Sequence, residues 1–213
     1  AGLATIQEKL TNAFSQFAHN RAITRKGETL TYSEAGKRAD RIAALIDKNM
    51  VPAGSYIGVF CEDRLRLICT LLGILRSGNA FVPMEVTLPE SRLSSMIDQA
   101  KIRYIITDKN VEQVKTLIKD EHTITWLTIE DADRLEETIH LTKKAYHPED
   151  AVYVYFTSGS TGNPKGVVGK NKGLTHFIDW EIKTFGVDHT FRFSQFTNPG
   201  FDVFLRDIFV PLC

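Results

Sequence analysis

Cysteine is scarce in this chain, with Cys61, Cys69 and Cys213 the only three in 213 residues. An odd, small number at wide spacing cannot build a disulfide framework. No Cys-x-x-Cys or Cys/His cluster offers a zinc site, and the six histidines show no ligand spacing. Cys61 and Cys69 lie in apolar runs and read as buried structural thiols, which fits a reducing, cytoplasmic compartment. Neither sign of charge is in excess: 26 Lys plus Arg stand against 26 Asp plus Glu. The basic field that non-specific nucleic-acid binding needs is therefore missing, and no nucleic-acid partner is expected. Long hydrophobic runs are missing too. The longest, Leu67 to Leu75, is broken by Thr70 and Gly73 and falls far short of the roughly 20 residues that span a bilayer, so no membrane partner is expected. The opening AGLATIQEKL lacks the apolar core of a signal peptide. Internal repeats and low-complexity stretches are absent.

What is present is the composition of a folded domain, 43% hydrophobic and 24% charged. At roughly 150 residues per domain the length corresponds to about one and a half domains. Apolar residues at helical spacing predict a helix from Ile6 to Phe17. Ala22-Ile23-Thr24 and Thr29-Leu30-Thr31 flank Lys26-Gly27, a hairpin signal. Thr31 and Glu34 form a capping-box pattern ahead of a helix with Ala39, Ile42, Ala43 and Ile46 on one face. Strands are expected at Tyr56–Phe60, Ala80–Pro83, Ile102–Thr107, Thr123–Ile129 and Ala151–Phe156. Between them, Asp63 caps a helix stopped by Gly78-Asn79. A second box, Thr87 with Glu90, opens a helix over Thr87–Ala100, and another runs from Val111 to Lys119. The charged stretch Asp131–Asp150 reads as a solvated connection. Beyond a Gly-rich loop come a helix over Gly173–Phe185 carrying His176 in a structural role, a strand at Phe191–Phe196 and a helix at Phe201–Leu212. Strands alternating with helices predict an α/β fold: mostly parallel sheets with flanking helices.

One segment carries chemistry. The apolar run Ala151–Phe156, expected to be a central strand, leads into Thr157-Ser158-Gly159-Ser160-Thr161-Gly162-Asn163-Pro164-Lys165-Gly166. Glycines let backbone N–H groups approach an anion, hydroxyls add donors, and Lys165 adds a positive charge. Ligands in open α/β sheets bind beyond the carboxyl ends of strands, where this loop falls. A phosphate cradle and an ordinary polar surface loop both fit that composition. A nucleotide-binding P-loop does not. Counting from Gly159, Pro164 stands where the second Gly belongs, and Gly166 stands where a magnesium-binding Ser or Thr belongs.

The run Tyr153–Val167 closely resembles the signature loop of adenylate-forming enzymes, in the form found in nonribosomal peptide synthetase adenylation domains. Three more segments resemble other motifs of that family, in the same order. They are Leu30-Thr31-Tyr32-Ser33-Glu34; Leu75–Pro83 followed by Pro89-Glu90-Ser91-Arg92; and Phe201-Asp202 ahead of Asp207-Ile208-Phe209. The resemblance covers essentially the whole chain. It implies the N-terminal portion of the large subdomain of such an enzyme, with residues 1–190 in a first α/β subdomain and residues 191–213 opening a second sheet.

The implied reaction is ATP-dependent activation of an amino acid. Its carboxylate attacks the α-phosphate, pyrophosphate leaves, and the aminoacyl group of the resulting adenylate is loaded onto the phosphopantetheine arm of a carrier protein, releasing AMP. By this resemblance Thr157, Ser158, Gly159, Ser160, Thr161, Gly162 and Lys165 hold the β- and γ-phosphates, with Lys165 the catalytic cation. Asp202 pairs with the substrate α-ammonium, and Val203 and Arg206 face its side chain. Asp202 also suits a helix cap, and Arg206 a pair with Asp207. Magnesium is implied, its ligand expected downstream of this chain together with the family's adenine, ribose and late-lysine motifs. The rest of the adenylation domain is therefore an expected partner, and the isolated chain is expected to be inactive. Three departures stand out: Asn171 where the family usually has His, Phe-Asp-Val-Phe in place of Phe-Asp-x-Ser, and Met84-Glu85-Val86 in place of Ile-Asp-Pro. An aryl- or acyl-CoA ligase relative and a non-catalytic scaffold module are the competing readings.

Overall fold

Short apolar runs separated by capped amphipathic segments fold as their periodicities dictate. The computed structural model describes residues 5–16, 18–19, 21–25, 27–118, 123–136, 144–157, 164–174 and 193–194. In chain order the elements are α1 (Ile6–Gln16), β1 (Arg21–Arg25), β2 (Glu28–Thr31), α2 (Tyr32–Lys48), β3 (Tyr56–Phe60), α3 (Arg64–Arg76), β4 (Ala80–Pro83), α4 (Glu90–Ala100), β5 (Tyr104–Thr107), α5 (Val111–Leu117), β6 (Thr125–Thr128), α6 (Ile129–Asp133), β7 (Ala151–Thr157), β8 (Lys165–Lys170) and β9 (Phe193–Ser194). The chain divides into two compact units. One comprises Ala1–Arg38, Tyr146–Asp150 and Lys170–Cys213; the other comprises Ala39–Ala145 and Ala151–Gly169.

In the first unit β1 and β2 form the expected antiparallel hairpin, and Gly27 turns it at φ 81°. Only glycine adopts that angle without strain. β9 adds parallel to β1, giving the order β2-β1-β9. α1 buries Ile6, Leu10, Ala13 and Phe14, and the Phe14 ring lies against Gly36, where a Cβ would meet it at 3.1 Å.

The second unit holds a six-stranded sheet in the order β6-β5-β3-β4-β7-β8. The pairings β6–β5, β5–β3, β3–β4 and β4–β7 are all parallel, as a βαβ alternation requires. Phe60, Val82, Ile105 and Val154 from the strands pack with Leu93, Met96 and Ile97 of α4 and Val114 of α5. α3 is buried almost all round, from Leu65 to Leu75 with Arg66 the exception, which marks a core helix rather than a surface one. The Asp63 carboxylate caps it, accepting from Arg66 N at 2.9 Å, and Gly78 at φ 81° ends it.

Several expectations need correction. The Thr87–Glu90 box does not form. α4 starts at Glu90 with Pro89 as its cap residue and no side-chain cap bond. The residue before a proline is pushed out of the helical region, so Leu88 cannot open a helix. Instead, Leu88 N donates to Glu85 O in a turn. At the Thr31 box, Thr31 Oγ1 accepts from Glu34 N and donates to the Glu34 carboxylate, both at 3.2 Å; Glu34 meets the hydroxyl rather than the backbone. The strands expected at Ile102–Thr107 and Thr123–Ile129 are trimmed to β5 and β6; α6 begins at Ile129, the last residue of the expected strand, and ends at Asp133 within the stretch read as a plain connection, capped by Thr128 Oγ1 on Asp131 N. β7 is not central: it is the second strand from the edge, and β8 beyond it was not expected. Of the Gly173–Phe185 helix, residues 173–174 are helical together with 171–172. The rest of it, and the helix at Phe201–Leu212, lie outside the described residues.

Candidate functional site

Because β7 runs parallel to β4, β3, β5 and β6, Thr157 stands at the carboxyl edge of the sheet, where ligands of open α/β sheets bind. Seven residues separate Thr157 from Lys165, too few for a crossover between parallel strands. Contacts between the two strands agree that β8 returns antiparallel. A Cβ at Gly166 would lie 3.3 Å from the Phe156 ring, and one at Gly169 would lie 1.8 Å from the Tyr153 ring. The two aromatic rings therefore occupy space that a side chain at position 166 or 169 would claim. They pin the hairpin register, because a slip of one residue would drive Tyr153 into a Cβ. Tyr153 in turn packs beside Phe81 of β4, ring centroids 6.3 Å apart. From α4, Gln99 Nε2 donates to Pro164 O at 2.7 Å and to Ser95 Oγ at 3.1 Å. Pro164 is buried and Lys165 exposed.

Of the sequence-identified phosphate residues, Thr157 and Lys165 thus lie at the two feet of one hairpin loop, at one edge of one sheet. Ser158, Gly159, Ser160, Thr161 and Gly162, with the substrate-side Asp202, Val203 and Arg206, lie outside the described residues, as do Cys213 and His176. The two described cysteines are buried, as expected. Burial, and after it the Asp108 charge, push the Cys61 thiol far above the ordinary thiol range, so it is no nucleophile at neutral pH. Among the described residues no group of three His, Cys, Asp or Glu side chains is placed to hold a metal ion, and no helix is long and apolar enough to cross a membrane.

Along the same sheet edge, a cavity of about 540 Å³ is lined by Arg66, Thr107, Asp108, Asn110 and Thr128 among others. Its polar groups already serve the fold. Asp108 accepts from the backbone N–H groups of Glu62 and Asp63, at 3.1 and 2.9 Å. Thr107 Oγ1 donates to Phe60 O at 2.7 Å, Asn110 caps α5, and Lys109 pairs with Glu62 at 2.5 Å. Such a set leaves little unmet demand for a ligand.

Asn171, noted for standing where a His is usual, is fully buried. Its Oδ1 accepts from Ile6 N at 2.9 Å, and its Nδ2 donates to Gln7 Oε1 at 2.7 Å and to His147 O at 3.3 Å. Ile6 N–H is one of the orphan donors at the start of α1. Thr5 and Glu8 complete that terminus as a box, Thr5 Oγ1 accepting from Glu8 N and Glu8 Oε2 from Thr5 N, both at 3.3 Å. Thr5-Ile6-Gln7-Glu8 has the Thr-x-x-Glu pattern, so this box is legible in the sequence. On either side of Asn171, Lys170 and Lys172 both pair with Glu149. These two hydrogen-bonded ammonium groups hold the Glu149 carboxylate at about 2, below its ordinary 4.5.

Parallel strands alternating with helices, with a strand-loop-strand hairpin at the sheet edge, make this an α/β protein, and comparison with known families narrows it. The chain belongs to the AMP-binding enzyme family, whose profile matches residues 10–213. Its relatives include a nonribosomal peptide synthetase of Emericella nidulans, 29% identical over 192 residues, 88% of this chain and 3% of that protein. Surfactin synthase subunit 3 of Bacillus subtilis is 31% identical over 194 residues, 90% of this chain and 15% of that protein. Gramicidin S synthase 2 of Brevibacillus brevis is 27% identical over 213 residues, 98% of this chain and 4% of its own length. The chain therefore spans a small part of the relatives it matches. Among solved structures, the Klebsiella oxytoca NpsA N-terminal subdomain in complex with 3-hydroxybenzoyl-AMSN has a TM-score of 0.86 at 20% identity, covering 99% of this chain and 52% of that one. The nonribosomal peptide synthetase FmoA3 (S1046A) in its AMPPNP-bound form has a TM-score of 0.85 at 23% identity, covering all of this chain and 22% of that one. At these identities the structures establish a shared fold.

Proposed function

We propose that this chain is the N-terminal part of an amino-acid adenylation domain in a nonribosomal peptide synthetase. The sheet expected to open at residues 191–213 already holds β1 and β2, since β9 pairs with β1. The reaction is attack of an amino-acid carboxylate on the α-phosphorus of ATP. The bond to the bridging oxygen breaks, and pyrophosphate leaves. The aminoacyl group then passes from the adenylate to the thiol of a carrier protein, the acyl–phosphate bond breaks and AMP leaves. The observation that carries this reading is the hairpin that sets Thr157 and Lys165 at one sheet edge, in a chain matched to the AMP-binding family from residue 10 onward.

Thr157 to Gly162 donate to the β- and γ-phosphate oxygens, and Lys165 neutralises charge gathering on the leaving pyrophosphate, a contribution of position and electrostatics rather than covalent catalysis. Asp202 receives the substrate ammonium, and Val203 and Arg206 border its side chain. Magnesium, when bound, screens the triphosphate charge. The relatives' names support a carrier-protein partner, since they include a nonribosomal peptide synthetase, and one structural neighbour is an artificially fused adenylation–PCP di-domain.

The test is exchange of labelled pyrophosphate into ATP, driven by a panel of amino acids, on the longest polypeptide that carries this chain. One or a few amino acids are expected to drive exchange, and Lys165→Ala to slow it by at least 10-fold. Exchange driven only by aryl or fatty acids, or by nothing, would contradict the assignment.

A further inference from the structure

The hydrogen bond from Gln99 to Pro164 joins a helix to the foot of the loop, and it reaches the one backbone atom there that reports a torsion angle. The pyrrolidine ring fixes φ of Pro164 near −65°. Its ψ is left free, and ψ sets where the carbonyl oxygen points. Gln99 Nε2 holds that oxygen at 2.7 Å. The second Nε2 hydrogen goes to Ser95 Oγ, one helical turn earlier, at 3.1 Å, so the amide cannot swing away without breaking two bonds. α4 is itself anchored by Leu93, Met96, Ile97 and Ala100 in the core. On the far side of Lys165, a Cβ at Gly166 would lie 3.3 Å from the Phe156 ring. Lys165 is itself exposed, and its preceding residue is held by Gln99.

We propose that Gln99 is a positioning residue for the phosphate loop. With the ring of Pro164 it fixes the direction in which the chain leaves the loop, and so the point from which the Lys165 ammonium reaches its anion. The proposal rests on the assignment of residues 157–165 as that loop. Holding a cation's root in place removes ordering cost from the moment of binding. Because Gln99 is exposed, its bond contributes little to global stability, and its effect is local.

The experiment measures magnesium pyrophosphate binding by calorimetry to the longest polypeptide that carries this chain, for wild type, Lys165→Ala, Gln99→Ala and the similarly sized Gln99→Leu. Melting temperature and amide hydrogen exchange are followed in parallel. Both Gln99 variants are expected to bind about 3- to 10-fold more weakly, the scale of one lost hydrogen bond. Their Tm should stay within about 2 °C of wild type, and faster exchange should be confined to Lys165 and Gly166. If Lys165→Ala weakens binding but both Gln99 variants match wild type, the proposal is overturned and the loop assignment stands. If weaker binding comes with a large fall in Tm and faster exchange throughout α4, Gln99 is structural and the proposal is again overturned. If wild type does not bind, or Lys165→Ala binds equally well, the loop assignment fails and the proposal with it.

Discussion

Asn171 satisfies three polar groups that its own strand and helix cannot reach, one of them the first N–H of α1. Replacing it with alanine strands a buried donor and two acceptors together. Asn171→Ala is expected to destabilise the chain by about 2–3 kcal/mol, read as a lower urea midpoint with an unchanged slope. An unchanged midpoint would show that water takes over the bonds. That Asn171 departs from a usual His was legible in the sequence. What the amide does was not, because its partners lie 165, 164 and 24 residues away, and no local pattern encodes contacts at that range. The same holds for Gln99, whose partner Pro164 is 65 residues on.

Among the elements, β1 to β6 and α1 to α5 follow from apolar runs, period and caps, with boundaries shifted by a residue or a few. β8 was missed for a physical reason. It is an edge strand whose Val167 and Val168 are both exposed, at 47% and 46%, so it shows no alternation, and its glycines mimic a loop. Those glycines are spaced to lie under Tyr153 and Phe156, a fact of cross-strand packing. A related close approach joins two helices. A Cβ on Gly73 of α3 would lie 2.5 Å from Ile42 Cβ and 2.6 Å from Ala39 O of α2. Alanine is favoured over glycine in a helix by about 1 kcal/mol, yet here it meets a backbone oxygen that cannot rotate aside. Gly73→Ala is expected to be net destabilising, by about 1–3 kcal/mol, and thermal denaturation will show the sign. A rise in Tm would mean that α2 and α3 separate without cost.

For the molecule as a whole, acid is the revealing variable. Glu149 is held at about 2 in the folded chain against an ordinary 4.5. The unfolded chain therefore binds its proton first as pH falls. Its contribution to stability is complete above about pH 4.5 and is lost as pH drops toward 2. Burial shifts Asp40 the opposite way, upward, against the pull of Arg76 at 2.5 Å. Its effect has the reverse sign: protonation favours the folded form, and stability falls as pH rises through its folded value. Glu149→Gln is expected to flatten the acid limb of a urea-midpoint profile between pH 4.5 and 2 while leaving its shape near neutrality unchanged. A limb as steep as that of wild type would place the acid sensitivity elsewhere. The fold class and the loop's motif were legible because both rest on contiguous sequence. The assignment of residues to two units was not, since each is stitched from separated stretches.

That stitching governs the order in which the chain can fold as it is made. The amide that closes the start of α1 belongs to residue 171, so α1 is synthesised long before its partner exists. The first unit stays incomplete until residue 171 has left the ribosome, and the apolar face of Ile6, Leu10 and Phe14 must wait uncovered in the meantime. Closing a loop of that length is a slow, late event, which makes nascent α1 a segment with much to gain from a chaperone.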